Sequence, residues 1–232
     1  MLQIRTCIAA VFALGVLLVA APAFAQEDAS PLTGKAVAAD DNSAEAALLR
    51  TGPGDVVAGK NKSLLCQGCH GELGISLDPL IPSLAGQFGK YIQKQILDYQ
   101  AGTRSHQIMN AMAGTLDGAT DAADVAAYFA SQNKMQGTGT GNEAGKNLYQ
   151  HGDISRMAVA CINCHGVHGK GLTPKMSAFP VLGGQQKAYI RKQLMDFRAG
   201  IRTNSPSGIM NKVANKLTDG EIEALAEYVS AQ

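Results

Sequence analysis

The residues best suited to chemistry are two pairs of cysteines, each followed at once by a histidine. They read Cys66-Gln67-Gly68-Cys69-His70 and Cys161-Ile162-Asn163-Cys164-His165. The pattern C-x-x-C-H is the attachment signature of c-type haem. Two thiols at this spacing can add to the two vinyl groups of haem, and the adjacent imidazole then lies beneath the iron. The spacing therefore predicts two covalently bound haem c groups, with thioether bonds to all four cysteines and with His70 and His165 as iron ligands.

Two other uses of cysteine compete with haem. A thioredoxin-like redox pair also has the spacing C-x-x-C, but it needs a βαβ setting and no histidine after the second cysteine. Structural zinc usually draws on two separated ligand pairs, and adjacent Cys and His side chains suit a tetrahedral site poorly. Every cysteine beyond Cys7 belongs to one of the two motifs, which favours haem.

The first 25 residues are typical of a secretory signal peptide. Arg5 precedes an apolar run over residues 7–20, and Ala23-Phe24-Ala25 forms a small-residue cleavage site. We therefore expect cleavage after about Ala25 and export, in a bacterium to the periplasm, with a retained membrane anchor as the alternative. No later segment approaches the roughly 20 apolar residues that span a bilayer.

The charge of the exported chain excludes one class of partner. Loss of Arg5 leaves 19 basic and 19 acidic residues, so the formal net charge is zero. A nucleic-acid-binding protein normally carries a basic surplus. We predict no nucleic-acid partner.

The chain contains an internal repeat. Residues 81–104 align without gaps against residues 179–202, and 12 of the 24 positions are identical. The tetrapeptide AGKN also occurs in both copies, at 58–61 and 144–147, and the second copy has about nine extra residues around HGDISRMAV.

The repeat sets the predicted domain organisation. We predict a cleaved signal peptide (1–25), a flexible lead-in (26–50) with a short helix at 43–50, a first domain (51–132), a flexible or extended Gly/Thr-rich linker (133–141) and a second domain (142–232).

The periodicity in both copies is helical. Apolar residues recur at i, i+4 and i+7 in the same place of each copy: Ile92, Ile96 and Tyr99, and Ile190, Leu194 and Phe197. Thr218 and Glu221 have the spacing of a capping box at the start of a last helix. No run alternates long enough to favour a strand. We predict an all-α fold of two small domains, each needing a staple such as a covalent haem.

A haem iron held by a histidine has one axial position left, and methionine there suits electron transfer. In the second copy the candidates are Met176, Met195, Met210 and His168. Met176 and His168 are too close to His165 in sequence to reach the opposite face without an abrupt reversal, and Met195 lies on the amphipathic helix. Met210 lies 45 residues beyond His165 in a loop-like stretch, which favours it.

The first copy offers His106, Met109 and Met112. The alignment of Ile108-Met109-Asn110 with Ile209-Met210-Asn211 pairs Met109 with Met210, whereas His106 and Met112 face Ser207 and Val213. This pairing favours Met109 and leaves His106 and Met112 as alternatives.

The chain resembles the dihaem cytochromes c4, two-domain periplasmic electron carriers. The resemblance covers roughly residues 58–232 and is carried by both C-x-x-C-H-G motifs, by IPSLAGQ and FPVLGGQ, by KQLMDFRAGIRTN and by the methionine-bearing stretches before each last helix. It implies two tandem cytochrome c-like domains with His/Met ligation of both irons, by His70 with Met109 and by His165 with Met210. It also implies that Pro82 and Pro180 lie by the proximal histidines, where their carbonyls accept the Nδ1 proton.

Three functions are compatible with these residues. The first is a one-electron carrier between respiratory or dehydrogenase donors and a terminal acceptor such as an oxidase, with redox proteins as partners and at most transient docking on a membrane surface. The second is a cytochrome subunit of a dehydrogenase complex, and the third is a dihaem peroxidase-like enzyme with an open axial position. The matched pairs Arg104 and Arg202, and Tyr91 and Tyr189, could contact haem propionates or lie on a solvated helix face.

Overall fold

The computed structural model describes residues 52–173 and 178–232. The predicted signal peptide, the lead-in in which a short helix was predicted, and Met176 lie outside these ranges. The described residues form ten α-helices: α1 Val56–Lys62, α2 Leu64–His70, α3 Gly89–Gln100, α4 Gln107–Ala113, α5 Gly118–Ala130, α6 Glu143–His151, α7 Ile162–His165, α8 Lys187–Arg198, α9 Ile209–Ala214 and α10 Asp219–Ser230. Short 3-10 helices occupy Ile154–Arg156, Val167–Gly169 and Pro206–Gly208.

Each repeat copy packs a first and a middle helix against its last helix. In the first copy α1 and α3 pack on α5, and in the second copy α6 and α8 pack on α10. The apolar side chains that recur along α3 form one core with those of α5. The matching side chains of α8 form a second core with those of α10. The all-α fold predicted from the periodicity is confirmed.

A glycine allows the first helix of each copy to cross the last helix closely. A Cβ atom on Gly59 would lie 1.9 Å from the carbonyl oxygen of Asp124, and one on Gly145 would lie 2.0 Å from that of Ala224. Real Cβ atoms do not approach an oxygen this closely, so only glycine fits at either crossing. The AGKN repeat in the sequence marks these two contacts.

The predicted helix faces and the predicted cap are present. Ile92, Ile96 and Tyr99 are buried, as are Ile190 and Phe197. Thr218 Oγ1 accepts the backbone N–H of Glu221, whose carboxylate in turn accepts the backbone N–H of Thr218, so the capping box is confirmed. In the described ranges the only β pairing is an isolated bridge between Asp153 and Ala158.

The extra residues of the second copy form a short turn fixed to α10. Asp153 caps the 3-10 helix Ile154–Arg156, and the Arg156 guanidinium binds the carboxylates of Asp153 and Glu221. Hydrogen bonding by Ser155 and Arg156 lowers the pKa of Asp153 to about 2. The insertion thus adds an ion-pair network outside the apolar core.

The linker is extended and packed against the rest of the chain. The Gly137 and Gly139 N–H groups donate to the carbonyls of Gln232 and Ala231, both at 2.7 Å. Met135 is 1% exposed and joins Phe88 and Val181 in a small apolar cluster between the two copies. None of the helices in the described ranges has both the length and the apolar content that crossing a bilayer requires.

Candidate haem sites

Both C-x-x-C-H motifs are helical, and each helix ends at its histidine. Gly71 and Gly166 follow at φ +85° and +76°, a conformation that favours glycine. The space is also restricted, because a Cβ on Gly71 would lie 2.1 Å from the carbonyl oxygen of Ile75. The chain can therefore turn away immediately after each histidine.

The two histidines have matching environments. His70 and His165 are each 6% exposed, and their Nδ1 atoms lie 2.8 Å from Pro82 O and 2.9 Å from Pro180 O. A carbonyl oxygen can only accept, so Nδ1 carries the proton and Nε2 keeps its lone pair. Burial lowers the pKa of both imidazoles, against the opposing effect of the carbonyl hydrogen bond. Each imidazole is thus neutral, and the lone pair on its Nε2 is suited to binding a metal.

None of the four motif cysteines forms a disulfide. Burial raises the pKa of the Cys66 thiol and raises the pKa of the Cys161 thiol to about 11. No group of three or more His, Cys, Asp or Glu side chains that could hold a metal ion occurs within residues 52–173 and 178–232, so the zinc alternative has no ligand set there.

The surroundings of each motif fit a large apolar group. Leu64, Leu65, Leu73, Ile75 and Leu77 flank the first motif, and all are at least 47% exposed. Exposed apolar side chains also flank the second motif: Val159, Val167 and Leu172. Ile209, at the start of helix α9, is exposed as well. Neutral imidazoles, pairs of cysteines at haem spacing and apolar side chains together match the needs of a covalent porphyrin.

The three candidate distal ligands of the first copy lie on or beside α4. Met109 and Met112 are half-buried, and Met109 packs against the core of the first domain. His106 is exposed and is the N-cap of α4, where its Nδ1 lies 3.4 Å from Met109 N. The imidazole of His106 therefore has a local role as a helix cap.

The second copy repeats this arrangement without a histidine. Met210 is half-buried on α9, and its N–H donates to Ser205 Oγ at 3.2 Å. Met195 on α8 is half-buried against the core of the second domain, as expected for a packing residue. His168 is exposed, and its Nδ1 lies 2.9 Å from Gln232 Oε1.

Two asparagines that the sequence analysis did not single out anchor the methionine helices. Asn110 Nδ2 donates to Tyr99 O at 2.6 Å, and Asn110 Oδ1 accepts the His106 N–H at 2.7 Å. Asn211 Nδ2 donates to Phe197 O at 2.7 Å and to Arg202 O at 2.8 Å. The sequence did contain a signal for these asparagines, because both copies contain the tripeptide Ile-Met-Asn, in which the asparagine is repeated together with the methionine.

Polar side chains of the two copies interlock at the interface between the domains. Arg104 donates to Tyr189 Oη at 3.0 Å and to Gln193 Oε1 at 2.9 Å. Reciprocally, Arg202 donates to Tyr91 Oη at 3.1 Å. Arg104 and Arg202 are 9% and 8% exposed, so a solvated helix face is wrong for both arginines. Among the described residues neither guanidinium has a carboxylate within ion-pair distance.

Comparisons with known proteins agree with this geometry. A family model described as cytochrome c matches residues 142–232. Cytochrome c4 of Azotobacter vinelandii is 41% identical over 187 residues, which cover 76% of this chain and 88% of that protein. A thiosulfate dehydrogenase electron acceptor of Thiomonas intermedia is 33% identical over 194 residues, 80% of this chain and 87% of that protein.

A solved structure extends the similarity to the fold. The crystal structure of reduced recombinant cytochrome c4 from Pseudomonas stutzeri superposes with a TM-score of 0.71 at 38% identity, covering 77% of this chain and 98% of that one. Sequence and structure thus agree over both repeat copies. The chain belongs to the dihaem cytochrome c4 family and is an electron-transfer protein with two tandem cytochrome c domains and two covalently bound haem c groups.

Proposed function

We propose that this chain is a periplasmic one-electron carrier in which His70 with Met109, and His165 with Met210, hold the two haem irons. It takes electrons from a respiratory or dehydrogenase donor and passes them to a terminal acceptor such as an oxidase. The observation that carries this proposal is the matched pair of sites. Each has a buried neutral imidazole on one helix and a half-buried methionine on a helix anchored by asparagine.

The thioether bonds are assigned to Cys66 and Cys69 in the first domain and to Cys161 and Cys164 in the second. When bound, haem supplies a ferric/ferrous couple that accepts and releases one electron. The Pro82 and Pro180 carbonyls hold the imidazole rings in one orientation and one tautomer. A thioether ligand favours the reduced iron and raises the potential.

The interface arginines are candidate partners for the haem propionates. A buried cation without an anion is costly, so an anionic group beside Arg104 and Arg202 would stabilise the interface. Tyr91 and Tyr189 already hold the guanidinium groups from across the interface. The same four side chains would then join the two domains and hold both propionate edges near their shared boundary.

The partner class follows from the relatives and from the charge. One relative carries the name of an electron acceptor for a dehydrogenase, which supports a dehydrogenase donor for this chain. A zero net charge after removal of residues 1–25 favours docking through local patches over long-range steering. A permanent cytochrome subunit of a dehydrogenase complex is the alternative assembly, and it would use the same residues.

The proposed location depends on residues 1–25, which are typical of a signal peptide. Expression in a bacterial host with c-type haem maturation, followed by mass spectrometry of the periplasmic fraction, should give a chain beginning at Gln26 with two haem groups. An uncleaved chain in the membrane fraction would contradict the location.

Ligand replacement tests the axial ligands. We expect the unmutated protein to have two low-spin six-coordinate haems and two reversible one-electron waves. Met109→Ala and Met210→Ala should each remove one of two sulfur-to-iron charge-transfer bands. Met112→Ala and Met195→Ala are matched controls, since both residues are half-buried methionines of the same domains, and both should keep two bands.

The same spectra distinguish an electron carrier from a peroxidase-like enzyme. A high-spin haem in the unmutated protein, or turnover of peroxide, would contradict a pure carrier. If Met109→Ala removed no band while His106→Ala did, the distal ligand of the first domain would be His106. A dehydrogenase complex would be recognised by co-purification of the cytochrome with its donor through gel filtration.

A further inference from the structure

Two buried glutamines link each proximal histidine to the other domain. In the second domain, Pro180 O accepts the His165 Nδ1 proton at 2.9 Å, and the next N–H, that of Val181, donates to Gln87 Oε1 at 2.9 Å. Gln87 belongs to the first domain and is 4% exposed. Its Nε2 also donates to Val181 O at 2.8 Å, so the amide holds the backbone from both sides.

The first domain has the same arrangement with the roles exchanged. Pro82 O accepts the His70 Nδ1 proton at 2.8 Å, and the Ser83 N–H donates to Gln185 Oε1 at 2.8 Å. Gln185 belongs to the second domain, is 5% exposed, and its Nε2 donates to Ser83 O at 2.8 Å. The two glutamines occupy matched positions in IPSLAGQ and FPVLGGQ.

The geometry in each case places both hydrogen bonds on one peptide unit. The carbonyl of Pro180 and the N–H of Val181 belong to the same amide group, as do those of Pro82 and Ser83. Hydrogen bonds in a chain polarise one another, so donation from the N–H makes the carbonyl a better acceptor. A better acceptor at Nδ1–H raises the basicity of the imidazole toward a metal.

We propose that Gln87 is a positioning residue for the haem of the second domain and that Gln185 is one for the haem of the first domain. Each glutamine strengthens the proximal hydrogen bond of the other domain through one peptide group. This inference rests on the proposed ligation by His70 and His165. Its consequence is a crossed dependence, in which the potential of each haem responds to a side chain of the opposite domain.

We call this chain of hydrogen bonds, from glutamine through one peptide group to the histidine, the relay. The direction in which the haem potential changes distinguishes loss of the relay from loosened packing at the interface. Loss of the glutamine acceptor weakens the proximal hydrogen bond, makes the imidazole a weaker donor and raises the potential. Water entering a loosened interface would favour the ferric iron and lower the potential. Cooperative strengthening is a modest part of one hydrogen bond, so we expect about a threefold change in the ferric-to-ferrous ratio, which corresponds to about 28 mV at 59 mV per tenfold.

The test is a spectroelectrochemical titration of the dihaem protein with Gln87→Met and Gln185→Met, which keep side-chain length and remove both polar atoms. To assign the two redox waves, Met210→Ala is measured first. The wave that leaves its normal potential in this variant belongs to the haem of the second domain. Gln87→Met should raise the potential of that haem alone, and Gln185→Met should raise that of the other haem alone. Gln186→Met is the matched control. It removes a cross-domain hydrogen bond to Ser76 O (2.7 Å) that touches neither proximal peptide, and should raise neither potential.

Several outcomes would overturn the relay. These are a shift of the haem in the same domain as the substitution, a fall in potential, or a rise equalled by Gln186→Met. If the unmutated protein lacked two reversible waves, the carrier function itself would fail, before any glutamine variant was measured. Normal waves that no glutamine variant moves would leave the carrier standing and remove the relay.

A measurement on the unmutated protein does not depend on the variants folding. In the diamagnetic ferrous state, a scalar coupling across the hydrogen bond should connect the Val181 amide nitrogen to the Gln87 side-chain carbonyl carbon, with a second one between Ser83 and Gln185. In any variant that folds, the Nδ1–H resonance of the opposite proximal histidine should move upfield. Missing couplings would overturn the relay directly.

Discussion

Replacement of Asn110 by Ala should weaken the proposed bond between Met109 and the haem iron without changing either of those groups. Asn110 lies next to Met109 and bonds to Tyr99 O and the His106 N–H, at 2.6 and 2.7 Å. Its third contact, to Arg104 O, is 3.4 Å long and should contribute little. The substitution therefore removes two good hydrogen bonds that fix the start of α4.

The magnitude follows from those two bonds. Each net hydrogen bond contributes about 1 kcal/mol, so the anchored position of α4 should lose about 2 kcal/mol. At 1.4 kcal/mol per tenfold, this corresponds to roughly a 30-fold change in the equilibrium between bound and released methionine. Asn211→Ala removes bonds of 2.7 and 2.8 Å and should have a similar effect on the other haem.

The assay is a denaturant titration that follows the sulfur-to-iron charge-transfer bands separately from helical content. In Asn110→Ala one band should disappear at a lower denaturant concentration while the other band and the helical signal keep their midpoints. Gln107→Ala changes an exposed residue of the same helix and is the control. If both bands shifted together, or if Gln107→Ala had the same effect as Asn110→Ala, the local anchoring argument would be refuted.

Two further predictions concern the stability of the second domain. Hydrogen bonding from Arg156 lowers the pKa of Glu221 from 4.5 to about 2. This carboxylate therefore contributes stability that is complete above about pH 4.5 and is lost as the pH falls through 2. Glu221→Gln, which can still form the capping box, should cost about 1 kcal/mol at neutral pH and clearly less at pH 2, where the native carboxyl is partly protonated. A loss of the same size at both pH values in urea titrations would contradict this. Gly145→Ala should cost about 3 kcal/mol because its Cβ would meet the carbonyl of Ala224, and an unchanged urea midpoint would show that α6 and α10 do not cross this closely.

The sequence allowed the chemistry and the fold of each domain to be predicted, but not the contacts between domains. The spacing of Cys66, Cys69 and His70 is typical of c-type haem attachment. The i, i+4, i+7 pattern of Ile92, Ile96 and Tyr99 is enough to predict a buried helix face. These signals are local. They depend on neighbours within one or two helical turns.

The interface between the two domains could not be predicted. An internal repeat indicates that the two copies share a fold, but it does not indicate which of their surfaces are in contact. Arg104 and Gln87 are matched by identical residues in the second copy, yet an arginine or a glutamine in a segment beside a helix is equally compatible with a solvated position. Their burial depends on a backbone carbonyl 94 positions away for Gln87 and on a tyrosine hydroxyl 85 positions away for Arg104. The same limit applies to Asn110, whose amide has meaning only beside the carbonyls at the end of α3.

The crossed contacts between the copies have an evolutionary and kinetic consequence. Each domain offers an arginine that bonds to a tyrosine of the other domain, and a glutamine that bonds to the other domain's backbone. The interface is therefore self-complementary in the manner of a twofold homodimer. A single domain with this face would pair with a second molecule of itself, and the pair would come apart on dilution. Joining the copies by a short linker turns that encounter into an intramolecular one with a high effective concentration. The two redox centres therefore stay paired however dilute the protein becomes.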